Sequence, residues 1–157
     1  MTLLAWNCWG LGLALAVHSL TDEVKDIDPV LVFLSETKAT QNRIKGLQRK
    51  LNLTEGIIVP SDGWSGGLAM LWKEGADVCF KSCSNAHIDV VVSEGVDTQL
   101  WRATGFYGHP DIGMRIISWR LLESLKRQCD MLWVVFGDFN KIVQSYEKLG
   151  WLERDVR

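Results

Sequence analysis

The 157-residue chain has room for one domain that buries roughly 68–70% of its extended surface, and its 47% hydrophobic and 23% charged content excludes disorder and low complexity. A net charge of −2 excludes a protein that grips nucleic acid by a basic face alone, yet admits one whose carboxylates hold a metal that meets the phosphate. Cys8, Cys79, Cys83 and Cys129 form no zinc pattern, since Cys79 and Cys83 have no second pair; reduced, mostly buried thiols and an intracellular location, nuclear or cytoplasmic, are expected.

Residues 2–8 (TLLAWNC) read as a short strand, followed by the loop Gly10-Leu11-Gly12. The apolar run LGLALAV at 11–17 has no Lys or Arg before it and carries Asn7 and Trp9 just upstream, which argues against a secretory signal. It is also shorter than the about 20 residues a bilayer span requires, so no membrane partner is expected. Leu13, Val17, Leu20, Val24 and Ile27 recur at helical spacing and predict a helix over 13–27 with one buried face, ended by Asp28-Pro29. VLVFL at 30–34 suits a buried strand that delivers Ser35-Glu36-Thr37-Lys38.

A second amphipathic helix over 41–51 turns Ile44, Leu47 and Leu51 inward. Segments 56–60, 67–73, 77–83 and 87–93, with Gly-rich turns at 63–67, 75 and 95, predict hairpins in an antiparallel sheet. A fifth strand over 98–107 ends in Tyr107-Gly108-His109-Pro110. Residues 116–129 predict a helix with Ile117, Leu121, Leu125 and Cys129 on one face, and 131–136 a buried strand. After Asn140 one helical turn precedes a charged tail at 153–157. The eight tryptophans are scattered along the chain, which suits core and cleft lining better than one aromatic cage.

In MLWVVFGDFNKI, 131–142, the apolar strand stops abruptly at Asp138-Phe139-Asn140. Asp and Asn here serve equally as turn residues, because both bond their own backbone and tolerate left-handed conformations. Other strand ends change the weighing. Asn7 follows LLAW, Glu36 follows VLVFLS, and Tyr107 makes a fourth. In sheets packed against helices, ligands gather at strand ends, so separate strands can bring such groups into one cleft. Two carboxylates and two amides suit a hard cation, Mg²⁺ with Mn²⁺ as the alternative. Glu36 is the candidate ligand, Asp138 the group that holds or deprotonates water, Asn7 and Asn140 orient water and phosphate, and Tyr107 donates to a phosphate oxygen. That chemistry is phosphodiester hydrolysis.

WNCWGLG (6–12), FLSETK (33–38), GWSGGLAMLW (63–72), GFYGHP (105–110), SW with its following helix (118–129) and GDFN (137–140) stand in the order found in the endonuclease/exonuclease/phosphatase family. The chain resembles in particular its apurinic-endonuclease-like branch in plant non-LTR retrotransposons. The resemblance implies a four-layer α/β sandwich, two mainly antiparallel sheets flanked by helices, with a Mg²⁺ site at one end and DNA as substrate. It also implies functional roles for Asn7, Glu36, Tyr107, Asp138 and Asn140, and for the last two it favours site over turn.

Such relatives are longer and finish with a Ser-Asp-His segment preceded by a further Asp, neither of which this sequence contains. The expectation is therefore a partial domain over 1–157, incomplete at the C-terminus and weak or inactive as a nuclease, the alternative being a non-catalytic remnant or binding module of the same fold. His18 on the first helix, His87 at a strand start and His109 in its turn offer no replacement, His109 alone being placed to border the cleft. Relatives also carry a basic residue where Trp9 stands and an Asn-Pro-Arg-like segment near Leu13-Ala14-Leu15, so a phosphate grip is lost here. Truncation would leave the apolar faces of 30–34 and 131–136 partly uncovered and stability marginal.

Overall fold

A computed structural model of the chain describes residues 2–63, 65–93, 95 and 99–141. Two apolar runs set its architecture. β2 (Leu31–Ser35) and β4 (Leu68–Trp72) are buried at every residue, which demands cover on both faces. They pair at the centre of a sheet ordered β1-β2-β4-β3, with β1 (Leu3–Asn7) and β3 (Glu55–Val59) outside.

Alternation along these strands sends Val32, Leu34, Ala69 and Leu71 to one side. There they meet Leu20 and Val24 of α1 (Ala14–Ile27) and Ile44 and Leu47 of α2 (Gln41–Leu51). Leu31, Phe33, Leu68 and Met70 point the other way, onto a second sheet ordered β5-β6-β7-β8. Its strands are β5 (Asp77–Cys83), β6 (His87–Ser93), β7 (Trp101–Tyr107) and β8 (Leu132–Asp138), and Ile88, Val90, Val92 and Ala103 fill its inner face.

The outer face of the second sheet is polar where it meets α3 (Arg115–Lys126). Buried Asp89 takes both ends of an Arg102 fork, Nε at 2.9 Å and Nη2 at 2.8 Å, and Thr104 donates to it at 2.6 Å. Arg102 Nη1 reaches the Leu125 carbonyl at 2.5 Å, tying the end of α3 to the sheet. The result is a four-layer α/β sandwich, antiparallel except at β1–β2 and β7–β8.

The two parallel pairs bring the polar strand ends together. β1 and β2 end side by side with Asn7 opposite Ser35, and β7 and β8 end side by side with Tyr107 opposite Asp138. Four strand ends therefore converge at one rim of the sandwich.

Several expectations need correction. The segments 56–60 to 98–107 form no single antiparallel sheet, because β4 pairs with β2 and β3 while β5 opens the second sheet. The α1 stripe is narrower than its spacing implied: Leu20 and Val24 are buried, but Leu13 is 73% exposed and precedes the helix. α3 buries Ser118 and Leu125 and leaves Ile117 exposed, and it ends at Lys126, short of the expected 129, so that Cys129 lies beyond it and is exposed. Only Cys8 of the four free cysteines is buried. β2 is fully covered, whereas Leu132 and Val134 of β8 are exposed. The helical turn and charged tail expected after Asn140 lie outside the described residues.

Candidate active site

β1 ends in Asn7, and its continuation stays zipped to the segment after β2. The N–H groups of Cys8, Gly10 and Leu11 donate to the carbonyls of Ser35, Glu36 and Thr37 at 2.8, 2.8 and 2.9 Å. On the far side, the Thr37 and Lys38 N–H groups donate to Gly67 and Gly66. Held between two loops, Glu36 and Lys38 both take left-handed backbone conformations, φ 49° and 46°. Trp9 at 47° and Asn140 at 49° do the same. Such residues cost roughly 1–3 kcal/mol each and persist where surrounding bonds over-determine them. Among the described residues, the remaining non-glycine cases, Asp28 and Asn52, are helix C-caps; the strained ones gather at this rim.

The side chains form one hydrogen-bonded chain across the two sheets. Tyr107 Oη donates to Glu36 Oε1 at 2.8 Å, and Asn7 Nδ2 donates to the same oxygen at 3.2 Å and to Asp138 Oδ2 at 2.8 Å. Asp138 Oδ1 accepts the Asn140 N–H at 2.8 Å, and Asn140 Nδ2 donates to the Gly108 carbonyl at 2.6 Å. All five residues singled out from the sequence thus meet. The turn reading of Asp138 and Asn140 is realised as well, since the bond from Asn140 N–H to Asp138 is an Asx turn. Gly137 makes the approach possible: at φ 137° it has no room for a Cβ against the Phe106 backbone.

Electrostatics follow from burial. The Tyr107 hydroxyl is pushed up to about 12, first by burial and then by its bond to Glu36, so it remains a proton donor at neutral pH. Cys8 beneath the site is also raised to about 12, by burial and then by the Glu36 charge, and stays a neutral thiol. Lys38 Nζ stands 3.8 Å from Glu36 Oε2. A cleft of about 380 Å³ opens beside Asn7, lined by Trp6, Ser35, Asp138, Asn140 and Lys141. Lys141 Nζ lies 5.4 Å from the centre of the Trp119 ring.

The donor set fits a hard cation. Glu36 and Asp138 offer carboxylate oxygens, and among the described residues no group of three or more His, Cys, Asp and Glu side chains forms a closed cage. Mg²⁺ commonly uses one or two carboxylates and keeps its other positions for water and phosphate. Lys38 and Lys141 have no role that strand-end position alone would assign; each lies in or beside a motif, FLSETK or GDFN, and that adjacency is the available signal. No histidine joins the chain of bonds. His18 pairs with Asp22 on α1, His87 is buried between Ser82 and Ser84, and His109 accepts the Asp111 N–H at 3.1 Å.

Residues 4–157 match the Endonuclease/Exonuclease/phosphatase family. The chain belongs to that family. Curated proteins provide no match. Among solved structures, an AP endonuclease from Leishmania major shares the fold with a TM-score of 0.67 at 15% identity, over 94% of this chain and 57% of that one. The endonuclease domain of TRAS1, a telomere-specific non-LTR retrotransposon, aligns with a TM-score of 0.66 at 14% identity, over 90% of this chain and 61% of that one. An AP endonuclease from Archaeoglobus fulgidus gives 0.63 at 18% identity, over 89% and 58%. This family member thus spans under two thirds of the length of each of these structures.

Proposed function

We propose that the chain is part of a Mg²⁺-dependent phosphodiester hydrolase domain acting on DNA, of retrotransposon ancestry. The observation that carries this reading is the unbroken chain of bonds Tyr107–Glu36–Asn7–Asp138–Asn140, which spans both sheets and opens on a cleft flanked by Lys141. Family membership and the fold shared with endonucleases support it.

Glu36, with Asp138 close by, would hold the metal, which supplies positive charge against the charge that builds on the phosphate oxygens. Asp138 accepts a proton from the attacking water and keeps it aligned, while the Asn7 amide fixes the carboxylate's direction. Tyr107 donates its hydroxyl hydrogen to a phosphate oxygen once substrate displaces its bond to Glu36. Lys38 and Lys141 provide charge for the backbone on either side. Water's oxygen bonds to phosphorus as its proton passes to Asp138, the P–O bond to the leaving sugar breaks, and the leaving oxygen takes a proton from solvent.

The described residues place no imidazole at this point. Loss of a positioned acid–base group typically costs about 10²–10⁴ in rate, so turnover by these 157 residues is expected to be slow. Supercoiled plasmid incubated with the purified chain provides the test, with Mg²⁺, with EDTA, and with Glu36→Ala and Asp138→Ala. Nicking that needs the metal and both carboxylates is expected. Folded wild-type protein with no nicking above the two variants would reduce the domain to a non-catalytic remnant or binding module.

A further inference from the structure

Trp9 is 81% exposed, with its backbone in the left-handed region at φ 47°, two residues beyond Asn7. Single exposed apolar residues are common and need no explanation. This one differs in how it is held. Its own N–H donates to Asn7 Oδ1 at 3.1 Å, so the amide that binds Glu36 and Asp138 through Nδ2 fixes Trp9 through its oxygen. The next two N–H groups are bound to Glu36 and Thr37, and Arg43 clamps the loop from α2, donating to Leu11 and Gly12 carbonyls at 2.9 and 3.3 Å. A large exposed ring is thus carried on a loop bonded at successive residues, at a backbone cost, beside Asn7, Glu36 and Asp138.

Resting on the phosphodiesterase reading, the geometry points to Trp9 as a stacking platform for an unpaired nucleobase next to the scissile phosphate. An aromatic face takes any base with little sequence preference, and a ring whose backbone is already held gives up only side-chain freedom on binding. Exposed Leu13 and Leu15 continue the apolar lip and would equally suit a protein partner. The bond from the Trp9 N–H to Asn7 favours the base, because the residue that carries the ring is anchored to the amide that binds Glu36 and Asp138.

The test is binding by the full chain of a fluorescein-labelled DNA hexamer, and of an abasic hexamer with the same phosphates, read by fluorescence anisotropy. Trp9→Ala is expected to weaken the normal hexamer roughly 5- to 150-fold and leave the abasic one unchanged. Trp9→Tyr, with the same backbone demand, retains most of the affinity, and the salt dependence is the same in all three proteins because no phosphate contact is altered. Equal affinity of Trp9→Ala and wild type for the normal hexamer overturns the inference and leaves the hydrolase reading standing. Equal loss on both hexamers overturns it too, making the lip a general apolar contact. Failure of wild type to bind either strand removes the nucleic-acid reading and this inference together.

Discussion

Tyr107 shows how much one hydroxyl depends on its neighbours. Its burial and its donation to Glu36 raise it to about 12, so from neutral pH to about pH 10 it keeps the proton it is proposed to offer the phosphate. Tyr107→Phe is expected to lower nicking by about 10²–10³, while the wild-type rate shows no loss from phenol ionisation between about pH 8 and pH 10. The stability consequence has a definite sign. Folded Tyr107 and Cys8 both hold protons to about 12, whereas their ordinary values are 10.0 and 9.0. Stability from this source is whole below pH 9 and disappears as pH rises toward 12. Urea melts at about pH 9, 10 and 11 should decline progressively, and less steeply in Tyr107→Phe. Thiol exposure gives a second check: Cys79, Cys83 and Cys129 should react with a disulfide reagent in the native state, and Cys8 only after unfolding. At this scale strand-end position was enough to single out Asn7, Glu36, Tyr107, Asp138 and Asn140 as candidates whose side chains meet, but a tryptophan in a Gly-rich loop carries no sign that its ring stands in water.

Between elements, two contacts decide how the layers sit. Gly105 of β7 lies directly against the Phe33 ring of β2, with no space for a Cβ. Gly105→Ala should push the sheets apart and destabilise by about 1–3 kcal/mol, seen as a lower melting temperature with secondary structure retained. On the other face, Asp89 is 0% and Arg102 2% exposed, and both are fully paired. Asp89→Ala leaves a buried guanidinium without its counter-charge, and a loss of about 3–5 kcal/mol is expected, measurable by chemical denaturation. An Asp89→Asn/Arg102→Met double variant that loses no more than Asp89→Ala would confirm that the stranded charge is the cause. Element boundaries were largely legible from periodicity, as α2 at Gln41–Leu51 shows. The faces were less so. Asp89 and Arg102 alternate with apolar residues along their strands, and alternation separates two faces without saying that both are covered.

For the whole molecule, the hidden step was the partition into two sheets. Five strand-like segments in succession suggested consecutive hairpins, but β4 returns to β2, far back in sequence, and no local signal between 73 and 77 announces the crossing. The resemblance to a known family, rather than periodicity, supplied the sandwich. Among the described residues, β8 closes the second sheet with Leu132 60% and Val134 42% exposed. An apolar edge of this kind invites pairing with another chain. Concentration-dependent self-association by analytical ultracentrifugation is expected, reduced in Leu132→Lys/Val134→Lys; a strict monomer at all concentrations would contradict it.

The bond between Asn7 and Asp138 joins residues 131 positions apart, and that between Tyr107 and Glu36 joins residues 71 apart. On the ribosome, Asn7 and Glu36 emerge long before their partners exist. An unfinished chain that stops before β8 lacks Asp138 and so cannot complete the bonds of the candidate site. If the proposed chemistry holds, a chain organised this way is harmless during its own synthesis, because the site closes only with the last described strand.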